Sequence, residues 1–195
     1  MRREELIEAV SRQMPAKRWT HTLGVMETAV KLAGRYGADP DKAELAAILH
    51  DLAKGWPVDR QRSFAVERGL AGEELDYDPE LLHAPIAAFV AETEYGVTDR
   101  EVLDAIRYHT TGRERMTVLD KVVCLADYIE PGRNFPGVED IRRLAESSLE
   151  EALVAGFDST IAFLIERRKK IFPLTVAARN GLLIELESAA LTKDK

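Results

Sequence analysis

The stretch DPDKAELAAILHDLAKG, Asp39 to Gly55, reads as a helix with both ends marked. Asp39 offers a side-chain oxygen to the free N–H groups of a first turn, and Pro40 has no N–H to leave unpaired there. Gly55 stops the run, which places the helix end at about Lys54. His50 follows Ala46 and Ala47 by one turn, so the face that turns inward ends in an imidazole, with the carboxylate of Asp51 next to it.

The same 3.6-residue period extends in both directions, and no stretch alternates apolar and polar residues long enough to make a strand. The chain is therefore expected to be all-α. A short opener over Leu6 to Gln13 stops at Pro15, and a long helix from Ala16 to Tyr36 ends at Gly37. A polar helix follows over residues 58 to 68, and Asp78-Pro79 starts a stretch that Pro85 is expected to break or re-initiate before Ile86 to Tyr95. Thr98 with Glu101, and Ser148 with Glu151, have capping-box spacing. The remaining helices are expected over Thr117 to Ile129, Val138 to Glu146, Leu149 to Lys170 and beyond Pro173. With 195 residues and no linker-like shift in composition, residues 1–195 are expected to form a single unit.

Composition removes several function classes. Lys and Arg number 27 against 34 Asp and Glu, a formal charge of −7, so a nucleic-acid polymer is not expected as a partner. No apolar run approaches the roughly 18 residues of a membrane span, and the opening MRREEL lacks the apolar segment of a signal peptide, so a cytoplasmic location is expected. Cys124, inside VVCLA, has no cysteine to pair with and reads as a small core residue.

All four histidines fall where a helix should turn an apolar face inward. His109 follows Val102 and Ile106, His21 precedes Gly24 and Val25, and Asp127 lies one turn beyond Val123 in KVVCLADYI. A carboxylate among such neighbours costs several kcal/mol unless a cation or hydrogen-bond donors compensate it. A lone histidine on an apolar face is ordinarily a core residue bonded to a carbonyl, and a His-Asp pair is weak by itself. The order His21, His50-Asp51, His83, His109, Asp127 is a stronger signal, because it uses every histidine in the chain. Imidazoles and carboxylates converging from several helices make a mixed N and O metal site. His21, His50, Asp51 and Asp127 are the expected ligands, with His83 and His109 as candidates for a second metal or for a phosphate contact.

The order His, His-Asp, Asp resembles the HD-domain phosphohydrolases, and the two intervening histidines resemble their dinuclear branch. RWTHTLGV, LHDLAKG, LLHAP, YHTTGR, ADYIEPGRNFPGVEDIR and KKIFPLTVAARN are similar to the bacterial YqeK-type symmetrical diadenosine tetraphosphate hydrolases, over nearly the whole chain. The resemblance implies a helical HD-domain bundle, iron in the His-Asp site, and cleavage of diadenosine tetraphosphate into two ADP. Where that family is expected to carry a histidine before Pro and Thr, this chain has Phe172.

That activity makes chemical sense of the remaining residues. A metal makes hydroxide available from water at neutral pH, and fixed cations stabilise charge building on phosphoryl oxygens. Asp51 is expected to bridge two metals, because adjacent helical side chains point about 100° apart. Lys54 is the first candidate cation, Arg133 the second and Arg18 the third, with Thr110 and Lys170 as further phosphate contacts. Each also has a structural reading, as a helix-end or turn residue. Iron, manganese, cobalt and zinc all suit such donors. Phe157, Ile161, Phe163, Leu164 and Ile165 make a broad apolar arc that is either core or the seam of a homodimer. The rival readings are a nucleotidase acting on nucleoside monophosphates and a non-catalytic nucleotide-binding regulatory module. Guanosine tetraphosphate hydrolysis is disfavoured by Leu52-Ala53-Lys54 after the His-Asp pair, and the Gly-Tyr-Pro signature of cyclic-dinucleotide phosphodiesterases is missing.

Overall fold

A computed structural model describes residues 2–193, and among them there are ten α-helices and no strand. In order these are α1 (Arg3–Ser11), α2 (Ala16–Tyr36), α3 (Pro40–Leu49), α4 (Val58–Arg68), α5 (His83–Thr93), α6 (Arg100–Tyr108), α7 (Val118–Ile129), α8 (Val138–Leu144), α9 (Leu149–Glu166) and α10 (Pro173–Lys193). Two short 3-10 turns, Glu73–Asp76 and Pro79–Leu81, lie between α4 and α5. No helix among the described residues is long and apolar enough to cross a membrane.

The architecture is built around α7. Its residues Leu119, Val122, Val123, Cys124, Leu125 and Ala126 are all buried, which requires neighbours on every side, and α2, α3, α6, α8 and α9 supply them. α2 turns Thr22, Val25, Ala29, Leu32 and Ala33, one helical stripe, onto α3 and α7. The apolar cluster runs continuously from Leu6 to Leu182. Buried Lys121 adds a polar tie: its Nζ donates to Glu150 Oε1 at 2.8 Å and to Glu185, joining α7 to α9 and α10. Cys124 is fully buried as expected, and burial raises its thiol pKa well above the usual range.

Several boundaries differ from those read off the sequence. α3 ends at Leu49, and residues 50 to 55 leave it through i→i+3 turns, with Lys54 N donating to Asp51 O at 3.0 Å. Of the two roles expected of Pro85, the structure shows re-initiation rather than a break. Pro85 is the third residue of α5, where its missing N–H belongs to the first turn that has no intrahelical acceptor. The cap of α6 is Asp99 rather than Thr98, its side chain accepting from Glu101 N at 2.9 Å. α9 stops at Glu166 instead of Lys170, and Arg168 takes a left-handed φ of 51° that turns the chain away from the helix axis. The expected apolar arc also divides. Phe157 is buried in the core, while Phe163 and Ile165 on the last turns of α9 are 49% and 61% exposed.

Candidate metal centre

Six ligand-type residues reach one point from five helices. His21 lies in the second turn of α2, and His50 is the C-cap of α3 with Asp51 in the turn that follows. His83 opens α5, His109 is the C-cap of α6, and Asp127 sits in the last turn of α7. His50, Asp51, His83 and His109 are 3% exposed or less.

The imidazoles share one orientation. Nδ1 of His50 bonds to Ala47 O at 2.6 Å, that of His83 to Glu80 O at 2.5 Å, and that of His109 to Ile106 O at 2.7 Å. In each case the acceptor is the carbonyl three residues back, and at the ends of α3 and α6 such carbonyls have no intrahelical donor. His21 is braced differently, its Nδ1 lying 3.1 Å from the Glu130 carboxylate. With Nδ1 donating, every Nε2 presents a lone pair to the same central space.

Asp51 divides that space. Its Oδ2 stands 3.3 Å from His50 Nε2 and 3.6 Å from His21 Nε2, whereas Oδ1 stands 3.3 Å from His83 Nε2 and 4.0 Å from His109 Nε2. Asp127 Oδ1 completes the first side, 3.0 Å from His21 Nε2. The donor atoms of His21, His50 and Asp127 lie within 4.8 Å of one another, as do those of His50, Asp51 and His109.

Electrostatics prepare Asp51, Asp127, His83 and His109 as donors. Burial opposes ionisation of Asp51, but His50, His83 and His109 outweigh it and hold the carboxyl well below its usual range. Burial likewise opposes the charge on Asp127, and the close approach of His21 with the charges of Arg133 and His50 drives its pKa down. Burial and the neighbouring His109 and Lys54 push His83 well down, and burial with His50 lowers His109 to about 4. Burial works against charge on His50 too, yet Asp51 and Asp127 raise its pKa on balance.

Ionised carboxylates and lone-pair imidazoles facing one another repel unless a cation lies between them. Nε2 of both His21 and His50 is buried without a hydrogen-bond partner. A buried donor set of this composition, with orphaned nitrogens aimed at its centre, fits a transition metal.

The chain matches the HD domain model over residues 18–132, which takes in all six of these residues. It is also 46% identical over 183 residues to the "Bis(5'-nucleosyl)-tetraphosphatase, symmetrical" of Bacillus subtilis (strain 168), covering 94% of this chain and 98% of that one. This chain belongs to the HD-domain family, with the symmetrical bis(5'-nucleosyl)-tetraphosphatases. A protein of the same description from Halalkalibacterium halodurans is 46% identical over 185 residues, 95% of this chain and 99% of its own. Among solved structures, a predicted HD superfamily hydrolase involved in NAD metabolism from Clostridium acetobutylicum superposes with a TM-score of 0.89 at 38% identity, covering 95% of this chain and 98% of that one.

The cations expected in this HD-domain protein are each already engaged. Arg18 Nη1 donates to Asp51 Oδ2 at 2.8 Å, and Arg133 Nε donates to Asp127 O at 2.7 Å while its Nη2 bonds Asp127 Oδ1. Lys54 pairs with Glu80. The turn at Arg168 carries the basic run back over the molecule, so that Lys169 pairs with Asp78 at 2.6 Å and Lys170 donates to Asp76 O at 2.9 Å. Thr110 Oγ1 lies 3.1 Å from His109 Nε2 and 3.3 Å from His83 Nε2. Phe172 is buried and packs edge-on to Tyr77, ring centroids 5.1 Å apart.

Sequence reasoning on this HD-domain chain missed two parts of the site. One is the acidic segment 76–80, whose carboxylates and carbonyl hold Lys54, Lys169 and Lys170. The other is Glu130, which stands inside ADYIEPGR three residues after a ligand-type aspartate. Tyr128, next to Asp127, is bonded to Thr160 at 2.7 Å and packed on Phe157.

Proposed function

We propose that this chain is a metal-dependent phosphohydrolase that cleaves diadenosine tetraphosphate and related dinucleoside polyphosphates symmetrically to two ADP. The observation that carries the reading is the two-sided Asp51, one oxygen facing His21 and His50 and the other facing His83 and His109, with Arg18 on Asp51 and Arg133 on Asp127. The activity in the names of the B. subtilis and H. halodurans proteins supports the choice of substrate. Residues 1–195 act as a single HD-domain unit, a view supported by the continuous apolar cluster from Leu6 to Leu182, and the location that goes with this reading is the cytoplasm.

In this reading His21, His50, Asp51 and Asp127 would hold one ion, and His83 and His109 would be the donors available to a second. Iron is the ion implied by the resemblance, with manganese, cobalt or zinc also suited to these donors. The metal supplies Lewis acidity and activates water. Asp51 and Lys54 are the catalytic pair, Asp51 fixing the reacting centre and Lys54 meeting charge on the phosphoryl oxygens. Arg18, Arg133 and Lys170 exchange their present carboxylate and carbonyl partners for phosphate oxygens, and Thr110 offers its hydroxyl beside His83 and His109. If these groups grip one ADP half, water attacks the second phosphorus from the bound adenosine. The leaving group is then the other ADP. The exposed Phe163 and Ile165 supply apolar surface for a homodimer, which sedimentation equilibrium tests.

The decisive experiment is to incubate the purified protein with diadenosine tetraphosphate in oxygen-18 water and resolve the products. ADP should be the only nucleotide formed, with label in one of the two ADP molecules per turnover. Equimolar ATP and AMP would refute the placement of the reacting phosphorus. Faster turnover of nucleoside monophosphates would establish the nucleotidase reading, and absence of any turnover would establish the regulatory module.

A further inference from the structure

Glu130 is the C-cap of α7, and its side chain turns back into the protein. It is 4% exposed, and two N–H donors converge on it. His21 Nδ1 lies 3.1 Å from Oε1, and Gly132 N lies 2.5 Å from Oε2. One oxygen serves each donor, so a carboxylate satisfies both where an amide, with a single acceptor, satisfies one.

Space for this carboxylate depends on two glycines. A Cβ at Gly24, on the turn of α2 after His21, would lie 2.6 Å from Glu130 Oε2, and a Cβ at Gly132 would lie 3.0 Å from both oxygens. The loop that carries Glu130 is pinned in turn by Arg142 of α8, which donates to Ile129 O at 3.0 Å, Glu130 O at 2.7 Å and Arg133 O at 3.0 Å. None of the other three histidines has such an arrangement, since each is braced by a neutral carbonyl of its own turn.

We propose that Glu130 is a positioning residue for the metal: it fixes the tautomer and ring plane of His21, and Gly24 is glycine to let it do so. This rests on the metal reading of the site. His21 is the one imidazole whose bracing comes from a distant element, 109 residues along the chain, so its aim depends on a partner that a point change can remove. A bond of this kind, histidine to carboxylate behind a ligand nitrogen, is worth about 10- to 100-fold in metal affinity.

The test is a titration of metal-stripped protein with Co²⁺, followed by visible absorption and by the melting temperature of the stripped protein. Glu130→Gln and Gly24→Ala should each weaken Co²⁺ binding by about 10- to 100-fold. Glu130→Ala with Gly24→Ala should bind within about threefold of Glu130→Ala alone, because the added Cβ then has no carboxylate to displace. Wild-type affinity in Glu130→Gln, or fully additive losses in the double variant, would overturn the proposal. If Glu130→Gln does not fold, wild-type affinity in Gly24→Ala overturns it and weakened affinity sustains it. Failure of the wild type to take up Co²⁺ would overturn the metal reading, and this proposal with it.

Discussion

Arg18 Nη1 and Asp51 Oδ2 are 2.8 Å apart, and that oxygen is the one that also faces His21 and His50. The Arg18 side chain is 30% exposed against 4% for Asp51, so the guanidinium reaches from the rim onto the centre. A phosphate arriving at that rim meets a cation already aligned with the reacting position. Arg18→Ala should lower kcat/KM by roughly 10- to 100-fold while bound metal, measured by elemental analysis, is unchanged. Loss of metal in this variant would make the contact structural.

The two faces of Asp51 predict a pattern of metal loss. His21→Ala should remove metal from one side of the carboxylate and His83→Ala from the other, each leaving the remaining ion in place. Asp51→Ala serves neither side and should empty both, with hydrolysis abolished; His50→Ala should likewise abolish hydrolysis and lower bound metal. Metal-to-protein ratios after gel filtration distinguish these outcomes. Full metal content and wild-type turnover in Asp51→Ala would rule out the centre.

Lys54 is held by Glu80, and the two side chains make opposite predictions. Lys54→Ala should reduce kcat by roughly 10- to 1,000-fold with metal retained, as befits a contact made to developing charge. Glu80→Gln releases the lysine from its carboxylate and should lower KM severalfold. The brace on His83 survives that change, because it uses the Glu80 backbone carbonyl. Steady-state kinetics on diadenosine tetraphosphate read both effects.

Removal of metal should also cost stability. A ligand at about 100 times its Kd stabilises the folded state by about 2.7 kcal/mol. For a chain of this size 1 kcal/mol moves Tm by roughly 2–4 °C. Chelation should therefore lower Tm by about 5–10 °C. Calorimetry with and without excess metal measures the shift, and no change in Tm would mean that the donors are not engaged by an ion.

The centre was legible in the sequence because its parts obey helical spacing. His50 after Ala46 and Ala47, His109 after Ile106 and Asp127 after Val123 each mark an inward face interrupted by a donor, and the structure brings all of them together. Caps such as Asp39 and stops such as Gly37 were equally plain, being local chemistry. What escaped notice was set by contacts distant in sequence. Nothing near Glu130 announces His21, and nothing near Lys170 announces Asp76, because those partners are chosen by packing. The early end of α3 has a similar origin: residues 50 to 55 have ordinary helix-forming composition, yet the chain tightens there as His50 and Asp51 turn into the cluster.

The left-handed turn at Arg168 has a consequence for the order in which the protein is made. All six ligand-type residues have left the ribosome once Asp127 has, whereas Lys169 and Lys170 follow some forty positions later and reach the 76–78 segment only after that turn has formed. All six ligand-type residues are thus encoded well before the two lysines, and the contacts of Lys169 and Lys170 with the 76–78 segment are among the last that synthesis makes possible.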